Sequence, residues 1–315
     1  MKYLICGLWH VHAPGYYETA AKYGEIVGVY EENEQWRKEF CEAHNLKEFA
    51  TLDEALHSGA DAAIVCVASN VHAETMIALA NAKMDIFTEK VLALSSAECD
   101  AIEEAVEKNG VRFVISYPHK YSAGAQTVKQ VVDSGELGKI NYFRCRNAHD
   151  GSTRNWLPLH FYDAEECGGG AMIDLGAHGM YLSEWICGMP IAAKSVFTVA
   201  CSNPDALAKN KDSVEDNAVT VLQYANGCIG LNETGFNTAG YPITLEVAGE
   251  NGRVIYTDGV VKKWTREEPE LKEIPMAEEL PSPLDQFCRN EILPGCGMAE
   301  AKKLTRLMEM AYAGK

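Results

Sequence analysis

Residues 4–17 read LICGLWHVHAPGYY, where a short apolar run ends at a glycine and helix-compatible residues follow. An apolar strand that ends at glycine and leads into a helix is typical of the first turn of a dinucleotide-binding fold, which usually carries G-x-G-x-x-G. The three glycine positions are Gly7, Trp9 and His12 here, so two of the three glycines are replaced. Pro14 suits the first turn of a helix. The stretch therefore predicts a strand, a turn and a helix, with either a modified nucleotide loop or a plain structural turn.

The same loop carries His10-Val11-His12, a spacing that also occurs in metal sites. At the end of a first strand, H-x-H places two imidazoles on one face, as in metal-dependent amidohydrolases. Such a site needs further His and Asp ligands from later strands, and the sequence has no histidine after His178. The strand-rich second half also does not suit a closed barrel. We therefore expect no metal, and expect these histidines to be structural or to contact a cofactor.

Composition limits the classes of function that the chain can have. Its 315 residues suffice for two domains, each with its own core. The formal net charge of −17, without a basic stripe, makes nucleic acid a poor partner. No apolar run is long enough to span a bilayer or to form a signal peptide. The 11 cysteines lack a C-x-x-C pair and lie in apolar surroundings, which indicates reduced thiols and a cytoplasmic protein.

The first 118 residues alternate apolar, β-branched runs with helix-compatible stretches, which predicts a doubly wound parallel sheet, a Rossmann domain over residues 1–118. Within it, Ser95 to Glu98 reads as a capping box. The predicted strands are 2–6, 25–30, 61–67, 84–89 and 111–116. The predicted helices are 14–23, 34–43, 70–82 and 95–108.

The pattern changes after Pro118. Strands and turns dominate from 194 to about 265, and Ala225-Asn226-Gly227 reads as a hairpin turn. We expect an α+β domain over residues 119–315 with an open, largely antiparallel sheet. Its other predicted elements are helices over 122–134, 168–187 and 299–313, a strand over 139–147 and a solvated loop over 265–283.

Four side chains outside the loop are candidates for chemistry. Glu31 ends the second predicted strand, where a carboxylate accepts hydrogen bonds from ribose hydroxyls and repels a 2′-phosphate, which favours NAD over NADP. Asp174 and His178 are four residues apart, so on one helix they share a face, and a carboxylate beside an imidazole suits a general base. Lys90 follows a strand. Taken singly, each could equally be a structural or surface residue.

In combination these residues resemble a known family. Glu89-Lys90 after the fourth strand, followed by GGGAMIDLGAH at 168–178, resembles the glucose–fructose oxidoreductase/inositol dehydrogenase (Gfo/Idh/MocA) family. SNVHAETMIALANAKMDIFTEK at 69–90 looks like its fourth-strand region. VEDNAVTVLQYANGCIGLNETG at 214–235 looks like a hairpin of its C-terminal sheet.

The resemblance implies a two-domain NAD(P)-dependent oxidoreductase that acts on sugars, polyols or inositol-like alcohols. It implies that Lys90 contacts nicotinamide and substrate, and that His178 removes the hydroxyl proton while Asp174 orients it. Residues expected at the cofactor are Gly7, Trp9, His10, Val11, His12, Glu31, Ser69, Asn70, His72 and Glu89. Residues expected at the substrate are Lys120, Trp156 and His160.

One departure concerns the segment of Lys90. The family's E-K-P is Glu89-Lys90-Val91 here, and a cis bond before a residue other than proline costs about 2.5–4 kcal/mol. We therefore expect a trans bond and a displaced Lys90.

The leading hypothesis is an NAD-dependent dehydrogenase of a sugar or polyol, which could also run redox-neutral chemistry with retained NAD. The alternative is a non-catalytic ligand-binding or regulatory protein on the same fold; the metal-dependent hydrolase using His10 and His12 ranks third. The resemblance also implies a homodimer or homotetramer that assembles through the second domain's sheet.

Overall fold

The computed structural model describes residues 1–240, 243–291 and 294–314. Its strands are Lys2–Cys6 (β1), Glu25–Tyr30 (β2), Glu48–Phe49 (β3), Ala62–Val65 (β4), Asp85–Thr88 (β5), Phe113–Ile115 (β6), Ile140–Ala148 (β7), Ala192–Thr198 (β8), Asn217–Gln223 (β9), Ile229–Gly235 (β10), Thr244–Gly249 (β11), Gly252–Thr257 (β12), Val260–Thr265 (β13) and Lys272–Ile274 (β14). Its α-helices are Ala13–Ala20 (α1), Glu34–His44 (α2), Leu52–Leu56 (α3), His72–Asn81 (α4), Ser96–Asn109 (α5), Ala123–Asp133 (α6), Ala164–Cys167 (α7), Ala171–Asp174 (α8), Gly176–Cys187 (α9), Pro204–Lys209 (α10), Pro283–Cys288 (α11) and Met298–Ala313 (α12).

The chain forms two compact units. One contains Met1–Ser116 and Pro281–Thr305, and the other contains Tyr117–Leu280 and Arg306–Lys315. The sequence-based boundary at residue 118 lies close to the first break, although a division at one point does not place 281–305 with the first unit. Because a compact unit is not the same thing as a domain that folds on its own, the domain assignment stays a prediction.

The first unit is built on a parallel sheet with the strand order β3-β2-β1-β4-β5-β6. β1 pairs with β2 on one side and β4 on the other, so the order reverses between β1 and β4. In open α/β sheets, ligands bind at the carboxyl ends of the strands beside such a reversal. Both β1 and β4 are buried over nearly their whole length, as expected for strands covered on both faces. The predicted Rossmann architecture is confirmed.

Local signals in the sequence account for the helix ends of this unit. Ser95 and Glu98 form the predicted capping box at the start of α5, which ends at Gly110 in the left-handed conformation. Asn33 accepts a hydrogen bond from the Trp36 amide and caps α2. Pro14 lies in the first turn of α1. These devices fix where each helix meets the sheet and so position the loops at the carboxyl edge.

The second unit contains a sheet with the strand order β14-β13-β12-β11-β7-β10-β9-β8. β7 and β10 run parallel, and the other neighbouring strands run antiparallel. Gly227, with φ +88°, makes the tight turn between β9 and β10, as the Asn-Gly pair predicts. Residues along β9 alternate between buried and exposed, so one face of the sheet packs and the other is open. The predicted α+β unit with a largely antiparallel sheet is confirmed.

The predicted continuous helix over 168–187 is wrong. Three residues of glycine-rich chain precede α8, and α8 and α9 are separate helices that flank Leu175. Side chains of β10 bind carbonyls of this segment: Asn232 Nδ2 donates to the Gly176 carbonyl at 2.7 Å, and Thr234 Oγ1 donates to the Ala171 carbonyl at 3.2 Å. The Ala171 carbonyl also accepts the Leu175 amide, so these bonds from the sheet add to the helical ones, and a sequence window does not reveal them.

Two further expectations are corrected. The stretch 265–283 is not all solvated loop, because β14 pairs with β13 inside it. The Lys90–Val91 peptide bond is cis rather than trans. His72 Nδ1 lies 2.9 Å from the Val91 carbonyl and 3.2 Å from the Leu92 carbonyl, so the segment that follows Lys90 is held by buried contacts with a distant side chain.

The described part of the chain contains no helix that combines the length and the apolar character needed to cross a bilayer.

Candidate active site

The turn after β1 depends on Gly7. Its φ of +93° lies in the region that favours glycine, and an added Cβ would lie 2.5 Å from the Val67 backbone nitrogen. The Gly7 amide donates to the Tyr30 carbonyl at 2.7 Å. Gly7 therefore permits the tight turn where the ends of β1, β2 and β4 come together, the first of the three roles that glycines have in a dinucleotide-binding turn.

The two loop histidines converge on one carboxylate, and we call His10, His12 and Glu89 the His–Glu cluster. His12 Nδ1 lies 2.7 Å from Glu89 Oε1, and His10 Nδ1 lies 3.9 Å from the same oxygen. His10 and Glu89 are buried, whereas the His12 side chain is 47% exposed. The Tyr16 hydroxyl donates to Glu89 Oε1 and also lies 2.8 Å from Ser116 Oγ. One buried carboxylate thus joins the turn after β1 to the end of β5.

The charges around Glu89 keep it ionised. Burial alone would raise its pKa, but the charges of His10, His12 and Lys90, together with the His12 hydrogen bond, hold that pKa well below its usual range. Burial, with the Glu89 charge second, raises the pKa of Tyr16 well above its usual value. The cluster therefore holds a carboxylate anion beside a neutral phenol. One ligand atom from each of its three residues lies within 4.8 Å of the other two, a spacing that suits a metal ion.

Glu31 lies at the carboxyl end of β2, as predicted, and is buried. Its Oε2 accepts from the Leu8 amide at 2.7 Å, and its Oε1 accepts from the Asn33 amide at 2.8 Å. Since a carboxylate has about four acceptor positions, both oxygens retain a lone pair for further donors. Glu31 therefore fits ribose hydroxyls while it also holds the loop that contains Leu8.

Ser69 and Asn70 form a 3₁₀ turn after β4, on the same edge of the sheet. Asn70 Oδ1 is buried and has no hydrogen-bond partner in the protein. A buried acceptor without a donor costs free energy unless a ligand or water satisfies it. An acceptor at this edge therefore fits a bound dinucleotide.

His72 and Lys90 are both buried. The His72 imidazole lies between the Val67 carbonyl, at 3.2 Å from Nε2, and the Val91 and Leu92 carbonyls, and burial lowers its pKa. The ring thus holds the segment after Lys90, and the direct cofactor contact expected of His72 stays a prediction. The Lys90 amide donates to Glu89 Oε2 at 3.1 Å, which ties the lysine backbone to the His–Glu cluster.

In the second unit, His178 belongs to a buried group of aromatic and basic side chains. Its Nδ1 lies 2.9 Å from the Tyr181 hydroxyl, which also accepts from the His119 amide at 3.2 Å. Tyr117 stacks on Tyr181 with ring centroids 4.3 Å apart. The Lys120 ammonium, 3% exposed, lies 5.0 Å and 5.8 Å from those two ring centroids, within the range of cation–π attraction.

Asp174 ends α8, whereas His178 lies in α9. Burial lowers the pKa of His149, and the Asp174 carboxylate opposes that shift, so these two residues interact electrostatically. The His149 ring also lies 4.6 Å from the ring of Trp156, whose indole donates to Asp150 at 2.8 Å. The structure thus places Trp156 beside His149, and the orienting of His178 by Asp174 stays a prediction.

The glycine run 168–170 has a packing role. An added Cβ on Gly170 would lie 2.1 Å from the Glu215 carbonyl oxygen. Glu215 Oε1 accepts from the amides of Gly170 and Met172 at 3.1 Å and 3.0 Å and from the Tyr312 hydroxyl at 2.7 Å. The run therefore lets the start of α8 approach the backbone that precedes β9.

His160, expected near a substrate, lies in the 3₁₀ turn Leu159–Tyr162, where its carbonyl accepts from the Cys167 thiol at 3.1 Å.

Three residues at these sites were not predicted from the sequence: Tyr181, His119 and Tyr16. Tyr181 follows His178 by three residues, so helical spacing could have identified it as a neighbour. Tyr16 follows His12 by four residues at the start of α1 and offered the same signal. For His119 only its position beside Lys120 pointed to the site.

A parallel sheet of the Rossmann type with a buried carboxylate after its second strand is typical of dinucleotide-binding domains. The comparisons with protein families agree. Residues 1–117 match the model described as "Oxidoreductase family, NAD-binding Rossmann fold", and residues 125–255 match "GFO/IDH/MocA C-terminal domain". The chain belongs to the Gfo/Idh/MocA oxidoreductase family, which confirms the resemblance drawn from the sequence.

Similar curated proteins include several dehydrogenases. The chain is 28% identical over 201 residues to myo-inositol 2-dehydrogenase of Thermotoga maritima, a match over 64% of this chain and 57% of that protein. It is 25% identical over 210 residues to levoglucosan dehydrogenase of Pseudarthrobacter phenanthrenivorans, over 61% of this chain and 54% of that protein. The matches thus span somewhat more than half the length of these relatives.

Solved structures share the whole fold. A structure of aldose–aldose oxidoreductase from Caulobacter crescentus complexed with glycerol has a TM-score of 0.81 at 17% identity and covers 100% of this chain and 97% of that chain. A structure of levoglucosan dehydrogenase in complex with NADH and levoglucosan has a TM-score of 0.82 at 15% identity, with the same two coverages. At these identities the likeness establishes the fold alone.

Proposed function

We propose that the protein is an NAD-dependent oxidoreductase that transfers a hydride between nicotinamide and a CH–OH group of a sugar, polyol or inositol-like compound. The observation that carries this proposal is the buried imidazole of His178, whose Nδ1 lies 2.9 Å from the Tyr181 hydroxyl. The chain that holds it belongs to a family of oxidoreductases. Dehydrogenases named for inositols and levoglucosan among the relatives support the substrate class.

His178 is the proposed general base. The Tyr181 oxygen accepts the His119 amide, and its second lone pair can accept an Nδ1–H of His178. That tautomer leaves the lone pair on Nε2, the ring atom that would take the hydroxyl proton of the substrate. Asp174 is proposed to support this base, and the buried cations Lys90 and Lys120 to bind the substrate hydroxyl groups.

The cofactor is assigned to the carboxyl edge of the first sheet. Bound NAD would supply the hydride acceptor at the nicotinamide ring. The loop residues Gly7 to His12 would lie along the dinucleotide, Glu31 would accept the ribose hydroxyls, and Asn70 Oδ1 would accept a donor from the cofactor. Glu31 would also repel a 2′-phosphate, which favours NAD over NADP. Trp156 and His160 are proposed sugar contacts.

We also propose assembly through the open face of the second unit's sheet. Val196, Val219 and Val221 project from one face of β8 and β9, with Val196 68% exposed, and Ile229 of β10 is 50% exposed. Exposed apolar side chains grouped in this way mark protein–protein contacts. A homodimer or homotetramer would cover them, so Val196→Glu is expected to lower the mass measured by light scattering.

A reducing compartment, the cytoplasm, is proposed because the cysteines are free thiols and most of them are buried.

The test of the activity has two parts. Calorimetry measures NAD and NADP binding, and a panel of sugars, inositols and other polyols is then screened for formation of reduced nicotinamide. His178→Ala is expected to lower kcat by roughly 10²–10⁴-fold with NAD affinity largely kept. His57→Ala, an exposed histidine that pairs with Asp53, is the matched control and is expected to leave the rate unchanged.

Failure to bind NAD, or an unchanged rate in His178→Ala, would overturn the proposal. Turnover without added cofactor would indicate redox-neutral chemistry with retained NAD.

A further inference from the structure

The His–Glu cluster has an arrangement of donor atoms that the proposed oxidoreductase chemistry does not require. His10 and His12 project from the turn after β1, and Glu89 projects from the end of β5, so a buried carboxylate from a distant part of the sequence meets the H-x-H pair. This third ligand is what the sequence pattern lacked, since the expectation of no metal rested on missing later ligands.

The distances suit a small divalent ion. Both Nδ1 atoms face the same carboxylate oxygen, at 2.7 Å for His12 and 3.9 Å for His10. Zinc bonds of about 2.0–2.2 Å in a tetrahedral site place neighbouring ligand atoms about 3.3–3.5 Å apart. The two observed separations lie on either side of that value, and changes of about 0.4–0.8 Å would bring each of them to it.

An ion at this site would replace two hydrogen bonds. The His12 amide donates to His10 Nδ1 at 3.3 Å, and His12 Nδ1 lies 2.7 Å from Glu89 Oε1, so each nitrogen would exchange its hydrogen-bond partner for the ion. The His12 ring is about half exposed and provides a path for an ion from solvent. The Tyr16 hydroxyl contacts Glu89 Oε1 and orients the carboxylate, as partners of metal-bound carboxylates commonly do.

We propose that His10 Nδ1, His12 Nδ1 and Glu89 Oε1 bind a divalent transition-metal ion of the zinc class. Two imidazoles and a carboxylate are a donor set that zinc and its first-row neighbours prefer. Three protein ligands leave a coordination position for a small oxygen ligand. This inference goes beyond the proposed dehydrogenase activity and does not rest on it.

The probes are Zn²⁺ and Co²⁺ added to full-length protein that has been stripped with a chelator and dialysed. Calorimetry with Zn²⁺ is expected to show one equivalent bound. Co²⁺ is expected to give visible absorption of a nitrogen- and oxygen-ligated ion, without the thiolate charge-transfer bands that binding by any of the cysteines would produce. The cobalt spectrum thus separates this site from adventitious binding to thiols.

Two variants test the ligands. His12→Ala changes a half-exposed side chain and Glu89→Gln is nearly isosteric, so at least one is expected to keep the circular dichroism of the parent. Each should weaken Zn²⁺ binding by more than the roughly 10–100-fold that loss of an outer-shell partner costs. His57→Ala is the control and should bind like the parent.

The inference is overturned by three outcomes: no binding of either ion by the parent, equal affinity in both folded variants, or thiolate bands with cobalt. NAD affinity of the stripped parent is measured in parallel. Whether the stripped parent binds NAD tests the proposed function and not the metal site.

Discussion

The turn at Gly7 permits a quantitative test, because Gly15, only eight residues away, is a natural control. In Gly7→Ala the new Cβ would lie 2.5 Å from Val67 N, 2.6 Å from Val67 Cγ1 and 2.7 Å from the Cys66 carbonyl carbon, and φ is +93°. The unfavourable φ costs about 1–2 kcal/mol and overpacking against backbone about 1–3 kcal/mol. Their sum predicts that the free energy of unfolding falls by about 2–5 kcal/mol.

Gly15 lies within α1, and a Cβ there would meet nothing within 4 Å. Gly15→Ala is therefore expected to stabilise the protein by about 0.5–1 kcal/mol, the helix-propensity difference. Urea unfolding followed by circular dichroism measures both variants. If Gly7→Ala were as stable as the parent, the close packing between the ends of β1 and β4 would be wrong.

Three further predictions concern the site. Tyr181→Phe removes the hydroxyl that lies 2.9 Å from His178 Nδ1, and loss of that buried hydrogen bond, about 1–3 kcal/mol, should lower kcat about 5–150-fold. The pH profile of kcat/KM should also shift, and an unchanged profile would refute the positioning role of Tyr181. Asp174→Asn removes a negative charge that raises the pKa of His149 against burial, so an NMR titration should show that pKa lower than in the parent, and a rise would contradict the interaction. Glu31→Ala should weaken NAD binding by about 1–3 kcal/mol and reduce the preference over NADP, measured by calorimetry; unchanged NAD affinity would remove Glu31 from the cofactor site.

Local chemistry made much of the fold predictable. The apolar run before Gly7 with Pro14 after it, the capping box at Ser95 and the Asn226-Gly227 turn each specify a boundary through backbone geometry that a sequence window contains. Most strands and helices of the first unit followed from such signals, as did the hairpin of the second, whereas the short elements β3 and α3 were not predicted.

The remaining features depend on contacts between residues that are far apart in sequence. The break between α8 and α9 accompanies side chains of β10 that bind its carbonyls, and the cis Lys90–Val91 bond lies in a buried segment against His72. The meeting of Glu89 with His10 and His12 depends on the order of strands in the sheet. Spacing predicted that Asp174 lies beside His178, and that pair stays a prediction; the Tyr181 hydroxyl beside His178 Nδ1 is a neighbour that the structure adds.

The central claim, hydride transfer from a carbinol carbon to nicotinamide, has a direct isotopic test. A polyol that is active in the screen is prepared with deuterium on its CH–OH carbons and incubated with NAD and the protein, and the reduced cofactor is analysed by mass spectrometry. We predict one deuterium in the reduced nicotinamide with the parent protein, and much slower labelling with His178→Ala. Reduced cofactor without deuterium, or equal labelling rates in the two proteins, would contradict the account.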